Sequence, residues 1–132
     1  MTYRTQIRVY YEDTDMAGVV YYANYLKFLE RGRSDAVRDA GISQLTMREA
    51  GLVFVVRRVE ADYLRPARFD DILTVQTSLE DMRGARFTMP QTVWRGDEKL
   101  IDARIDCAVM DLNGRPARLP AEIRLKLVAF FG

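Results

Sequence analysis

Three carboxylates, Glu12, Asp13 and Asp15, crowd the stretch YYEDTDMAGVVYYANYLKFLERGR from Tyr10 to Arg33. They sit just ahead of Gly18, Val19 and Val20 and of a segment with helical spacing. A helix that starts near Tyr22 to Asn24 turns its first free N–H groups back toward the loop, and its dipole makes that end partly positive. Asp15 beside such donors is half of an acyl-transfer site. The donors would hold a developing oxyanion while the carboxylate attacks a carbonyl or activates water. Val19, Val20 and Tyr21 would supply apolar walls. The residues alone leave a second reading open, in which Asp15 caps the helix or sits on a solvated turn, and Gly18 serves that turn.

The remaining composition narrows the chemistry. The chain holds no histidine and one cysteine. Serine and cysteine nucleophiles that depend on an imidazole base are excluded, and so are most zinc sites. Acid–base work falls to carboxylates, tyrosines, lysines or backbone dipoles. No metal or redox cofactor is expected. The formal net charge of +1 gives no electrostatic case for nucleic acid or an anionic membrane. The polar, alternating start MTYRTQIRVYY is not a signal peptide, no run reaches transmembrane length, and a lone cysteine fits a reducing compartment. The expectation is a cytoplasmic protein.

Apolar residues make up 48% of the 132 residues and charged residues 30%, which suits one domain with a core. Ile7, Val9 and Tyr11 alternate as a first strand. From Tyr22 to Ala40 the stripe Leu26, Leu29, Ala36 or Val37, and Ala40 is helical, with Arg31–Asp35 and Glu30–Arg33 as surface pairs. Gly41 follows as a C-terminal stop, and Ser43 caps a short second helix that runs to Gly51. Val53, Val55, Val59, Ala61 and Tyr63 then share a strand parity interrupted by Arg57, and Pro66 ends that strand. Further strands run from Leu73 to Leu79, from Phe87 to Val93 with Pro90 marking an edge or bulge, and from Ile101 to Val109. Pro120 opens a C-terminal helix with Ile123, Leu127, Phe130 and Phe131 on one side. One strand, a long helix, a short helix and four long strands predict an α+β fold with an antiparallel sheet burying the long helix.

The string D-T-D-M-A-G-V-V-Y-Y-A-N-Y with F-L-E-R-G-R resembles the hotdog-fold acyl-CoA thioesterases of the 4-hydroxybenzoyl-CoA thioesterase type, most closely the Tol-Pal-associated members. The similarity continues through FVVRRVEADYLRPARFDDILTVQT, the MRG turn and RPARLP, nearly the whole chain. The resemblance implies one hotdog thioesterase domain over residues 1–132, its sheet wrapped around a long central helix. It implies dimers or tetramers with active sites at the subunit interface. The family's catalytic carboxylate falls on Asp15, its oxyanion N–H on Tyr22, and an active-site tyrosine of some relatives on Tyr11. The Tol-Pal-associated members commonly have histidine where this chain has Tyr22, so the donor survives as main chain and any imidazole role is absent. The implied substrate is an acyl-CoA, with an acyl carrier protein as a further candidate donor.

Gly18, Val19 and Val20 are expected beside the substrate. Arg83 and Arg86, flanking Gly84, are the best candidates for coenzyme A phosphates, because arginine forks suit phosphate. Cys107 shares parity with Ile101 and Ile105 and reads as a buried apolar residue. Tyr25 and Phe28 read as packing, and Glu12 and Asp13 as solvated. The rival to hydrolysis is a non-catalytic acyl-thioester or acyl-carrier-protein binding module on the same fold. A hotdog hydratase ranks lower, since such relatives rely on a histidine.

Overall fold

The structure is a computed structural model that describes residues 1–132. In chain order its elements are β1 (Tyr3–Arg8), α1 (Asn24–Asp39), α2 (Gln44–Glu49), β2 (Leu52–Tyr63), β3 (Ile72–Thr77), β4 (Glu80–Arg83), β5 (Arg86–Arg95), β6 (Glu98–Asp111) and α3 (Ala121–Phe131). The six strands form one antiparallel sheet in the order β1-β3-β5-β6-β2, with the short β4 paired to β5. The α+β hotdog arrangement expected from the sequence is present, with α1 packed on one sheet face. No helix is long and apolar enough to cross a membrane.

The buried stripe of α1 is Tyr25, Phe28, Leu29, Gly32, Ala36 and Val37, a spacing of three and four residues. Full burial of Phe28 and Leu29 contributes roughly 2 kcal/mol each. Leu26, expected on this stripe, is exposed instead. Gly32 sets the rotation. A methyl group there would lie 2.7 Å from Val75 Cγ1 and 3.2 Å from Thr77 Oγ1, so only glycine lets the helix backbone rest this close to β3. The expected surface pairs also regroup. Asp35 pairs with Arg38, Glu30 accepts from Ser34, and Arg33 turns inward to donate to Gln91 Oε1 at 2.9 Å.

Three strand expectations are corrected. The first strand stops at Arg8, and the chain turns through a single 3₁₀ turn at Tyr11–Asp13. In β2 the register slips between Val56 and Arg58, so Arg57 is an extra, bulged residue. Phe54 and Val56 therefore share the core face with Val59, Ala61 and Tyr63, opposite Val109, Cys107, Ile105, Ala103 and Ile101, while Val53 and Val55 turn outward. Finally, Pro90 sits in the interior strand β5, not at an edge. Its carbonyl accepts from Ser78 N, just past the end of β3, so its missing N–H falls where β5 exchanges β3 for β4 as neighbour.

α3 starts at Ala121 with Pro120 as its cap residue, and Leu127 and Phe131 enter the core. The edges of the sheet are β1 and β2. β2 is twelve residues long and leaves one full side of its backbone unpaired.

Candidate active site at the start of the long helix

The loop that carries Asp15 is tied down by its own backbone. Thr14 bridges Val20, Asp15 N donates to Val19 O at 3.0 Å, and Gly18 N donates to Asp15 O at 3.0 Å. Gly18 takes a φ of +76°, which suits glycine at the end of such a turn. The Asp15 side chain is exposed, and its Oδ1 accepts from Ala17 N at 2.9 Å. That bond orients one oxygen and leaves the other free.

The loop is then pinned to the helix start. Asp13 O accepts from Tyr21 N at 2.9 Å and from Asn24 Nδ2 at 3.0 Å. The Asp13 carboxylate accepts from Tyr10 N at 2.8 Å. Asp13, expected to be merely solvated, is thus a structural clamp. A second set of bonds comes from the loop after β2. Ala67 O accepts from Val20 N at 2.8 Å, and Ala67 N donates to the buried Tyr25 hydroxyl at 2.9 Å. Burial pushes the Tyr25 phenol pKa up. Arg95 holds the same loop by donating to Pro66 O at 3.2 Å and to Asp71 Oδ2 at 2.7 Å.

At the helix start the residue before α1 is Ala23, which has no capping side chain, and the first turn carries no acidic residue. The N–H groups of Tyr22 and Ala23 have no acceptor within the chain. The carbonyl of Tyr22 is held by the Tyr63 hydroxyl at 3.2 Å, and its ring meets Tyr63 edge-on at 6.2 Å and Tyr21 at 4.9 Å. The Tyr21 phenol pKa is raised, first by the neighbouring Tyr22 phenol. The Thr14–Val20 bridge and the bond from Tyr21 N to Asp13 O hold the turn that carries Asp15 against the residues leading into α1. The arrangement offers a carboxylate and unused N–H donors on one exposed, aromatic-lined surface.

The other expected site residues divide. Gly18 and Val19 belong to the loop beside Asp15, whereas the Val20 side chain is buried in the core and offers the site only its backbone. Tyr11 is 82% exposed against Phe69 in the 3₁₀ turn. Arg83 and Arg86 face each other across the β4–β5 turn, where Arg57 joins them around a shallow depression. Arg86 pairs with Ala108, whereas Tyr63 pairs with Ile101. Seven residues of β6 separate these ends, about 23 Å at the usual rise per residue. Within one chain the arginines and Asp15 do not meet. Cys107 is buried as expected, and burial pushes its thiol pKa up to about 11. No cluster of metal-ligating side chains is present.

Tyr63, Asn24 and Ala67 help build the site and were not singled out by the sequence for that part, and Tyr25, read as packing, also bonds the loop after β2. Only the aromatic density of Tyr21, Tyr22 and Tyr25 hinted at them.

Comparison with known proteins gives a consistent result. A model of the thioesterase-like superfamily matches residues 9–127. The chain is 38% identical over 123 residues to the acyl-CoA thioester hydrolase YbgC of Escherichia coli, covering 92% of each. The solved structure of a probable thioesterase from Bartonella henselae superposes with a TM-score of 0.82 at 43% identity, covering 90% of this chain and 98% of the other. A variant of 4-hydroxybenzoyl-CoA thioesterase in complex with 4-hydroxybenzoyl-CoA shares the fold, with a TM-score of 0.89, 24% identity, and coverage of 96% and 98%.

Proposed function

We propose, from the premise that this chain belongs to the thioesterase-like superfamily, that it hydrolyses an acyl-CoA thioester at the Asp15–Tyr22 surface. The thioester carbonyl oxygen binds the unpartnered Tyr22 N–H, at the positive end of α1. Asp15 either takes a proton from the attacking water, or attacks the carbonyl carbon itself and forms, as the thiolate leaves, a mixed anhydride that water then hydrolyses to the free acid and Asp15. The C–S bond breaks, and the thiolate takes up a proton and leaves as coenzyme A. The single observation that carries this reading is that Tyr22 N–H has no acceptor in the chain while backbone pairing of Thr14 with Val20 and of Asp13 with Tyr21 holds the Asp15 turn against the same helix start.

The same reading explains the distant arginines. Pairing β2 antiparallel with β2 of a second copy satisfies its free edge and sets the start of one β2 beside the end of the other. Arg57, Arg83 and Arg86 of one copy then approach the Tyr63 end of its partner, where they meet the phosphates of coenzyme A. Acyl-carrier-protein thioesters are a second possible substrate for the same surface.

The test is Asp15→Asn. The amide oxygen still accepts from Ala17 N, so the turn survives while the charge is lost. Hydrolysis of an acyl-CoA panel, followed with a thiol-reactive dye, falls by a factor on the order of 10³ or more, and the oligomer persists in sedimentation. Wild-type rates in that variant sink the mechanism. No release from any ester by the wild type favours the acyl-thioester binding module. Single-turnover hydrolysis in ¹⁸O-water tests the two roles of Asp15. Label in the Asp15 carboxylate marks a nucleophile. Label in the acid alone arises from a general base and equally from water attack on the acyl carbon of an anhydride, and rapid-quench capture of an acylated enzyme then separates these two.

A further inference from the structure

A cavity of about 180 Å³ lies between α1 and the sheet, lined by Arg33, Val37, Phe54, Phe87, Met89 and Cys107 among others. Its walls are mostly apolar, yet it contains a cation. Arg33 is partly buried, takes part in no ion pair, and spends one of its five N–H groups on Gln91 Oε1 at 2.9 Å. Gln91 is itself fixed, since its Nε2 donates to Leu29 O and Thr77 Oγ1, both at 2.9 Å. The guanidinium is therefore held in place with its remaining donors unmatched. Glu30 stands at the same cavity, but its carboxylate accepts from Ser34 and does not reach the ion-pair range of Arg33. Desolvation lowers the Arg33 pKa, with Cys107 and Glu30 acting in the opposite direction. Leaving a guanidinium half-dry without an anion is costly, and natural sites supply the missing partner.

We propose that this cavity receives the far end of the acyl group, and that Arg33 selects acyl chains ending in a carboxylate. The proposal rests on the hydrolase reading and its paired β2 strands. Phe54 and Val56 line or flank the cavity at the start of β2, and Tyr63 stands at the end of β2. In an antiparallel β2–β2 pair the cavity of one copy therefore borders the Asp15–Tyr22 surface of the other. A cavity near the ~150 Å³ that accommodates benzene suits an acyl tail of about six carbons. A carboxylate at its end would meet Arg33 in a charge-assisted, two-bond fork.

The test compares adipyl-CoA with hexanoyl-CoA, equal in carbon count and different only in the terminal group. The expected wild-type kcat/KM ratio favours adipyl-CoA by tenfold or more. Arg33→Met lowers that ratio at least tenfold, Arg33→Lys restores part of it, and the exposed control Arg38→Met leaves it unchanged. The thioether pair S-(5-carboxypentyl)-CoA and S-hexyl-CoA, measured by calorimetry, follows the same order without needing turnover. A wild-type ratio of one or below overturns the proposal, as does an equal fall for both esters in Arg33→Met. A guanidinium that pairs with a carboxylate of the second copy would give that equal response. Hexanoyl-CoA turnover without preference removes Arg33 selection alone. Absence of release from every ester removes the hydrolase reading, and equal thioether affinities then remove the cation site as well.

Discussion

The Tyr63 hydroxyl donates to the Tyr22 carbonyl at 3.2 Å, so the end of β2 holds the backbone from which α1 begins. Both rings also meet edge-on. Tyr63 thereby holds the peptide plane that joins residues 22 and 23, and so restrains the backbone on the helix side of the Tyr22 N–H proposed to bind the oxyanion. Tyr63→Phe keeps the ring packing and removes only the bond. The expected result is a fall in kcat of about 2- to 10-fold with KM little changed, read by steady-state kinetics. An unchanged kcat would show that the ring alone sets the helix start.

Gly32→Ala tests the contact that rotates α1. In an exposed helix this change would stabilise by about 1 kcal/mol. Here the added methyl meets Val75 Cγ1 at 2.7 Å, inside a packed layer with Thr77 and Gln91. Overpacking of this kind costs about 1–3 kcal/mol, so we expect a net loss on the order of 1–2 kcal/mol in urea unfolding. A stabilised variant would refute the close-approach account.

How much of this was legible in the sequence depends on whether the signal was local. Strand alternation, the Ser43 cap and the α3 stripe are local patterns, and each placed its element to within a few residues. The bulge showed in the sequence only as Arg57 interrupting the parity; that the register slips there and turns Phe54 and Val56 to the core face is set by pairing with β6. Tyr25 and Phe28 were read as packing and are buried, whereas Leu26 was placed on the stripe and is exposed. What buries Tyr25 is a bond to Ala67, forty-two residues away. Asp15 and Tyr22 were singled out by the resemblance of the motif, and their roles are proposals that the Asp15→Asn variant tests. Arg83 and Arg86 could not be placed beside them by sequence, since the distance between them is set by sheet register.

Cys107 offers a pH-dependent prediction. Its thiol pKa is raised from the ordinary 9.0 to about 11 by burial. A folded-state pKa above the unfolded value contributes stability that is fully present below about pH 9 and lost as pH climbs through about 11. The associated loss is about 3 kcal/mol. Cys107→Ala removes that titration, so its stability should fall less steeply than wild type between pH 9 and 11 in denaturant melts. Parallel curves would show that the thiol does not contribute. Below pH 8 the buried thiol should also label slowly with a thiol-reactive dye, at a rate set by unfolding.

The free edge of β2 carries the last prediction. Its twelve residues pair only with β6, and Val56, Val59 and Tyr63 on its core-side face are 47%, 42% and 47% exposed. These residues share a face with the core, so their exposure in one chain marks surface that a second copy would cover. A free edge of this length is the proposed pairing surface for a second copy. Val59→Asp places a charge in the middle of that seam without touching Asp15, Tyr22 or Arg33. We expect sedimentation velocity to show a dimer or larger species for the wild type and a monomer for Val59→Asp. Activity should fall at least tenfold in the variant, because each site would lose the arginines and cavity of its neighbour. A monomeric wild type with full activity would place the whole site within one chain and remove the assigned roles of Arg83 and Arg86.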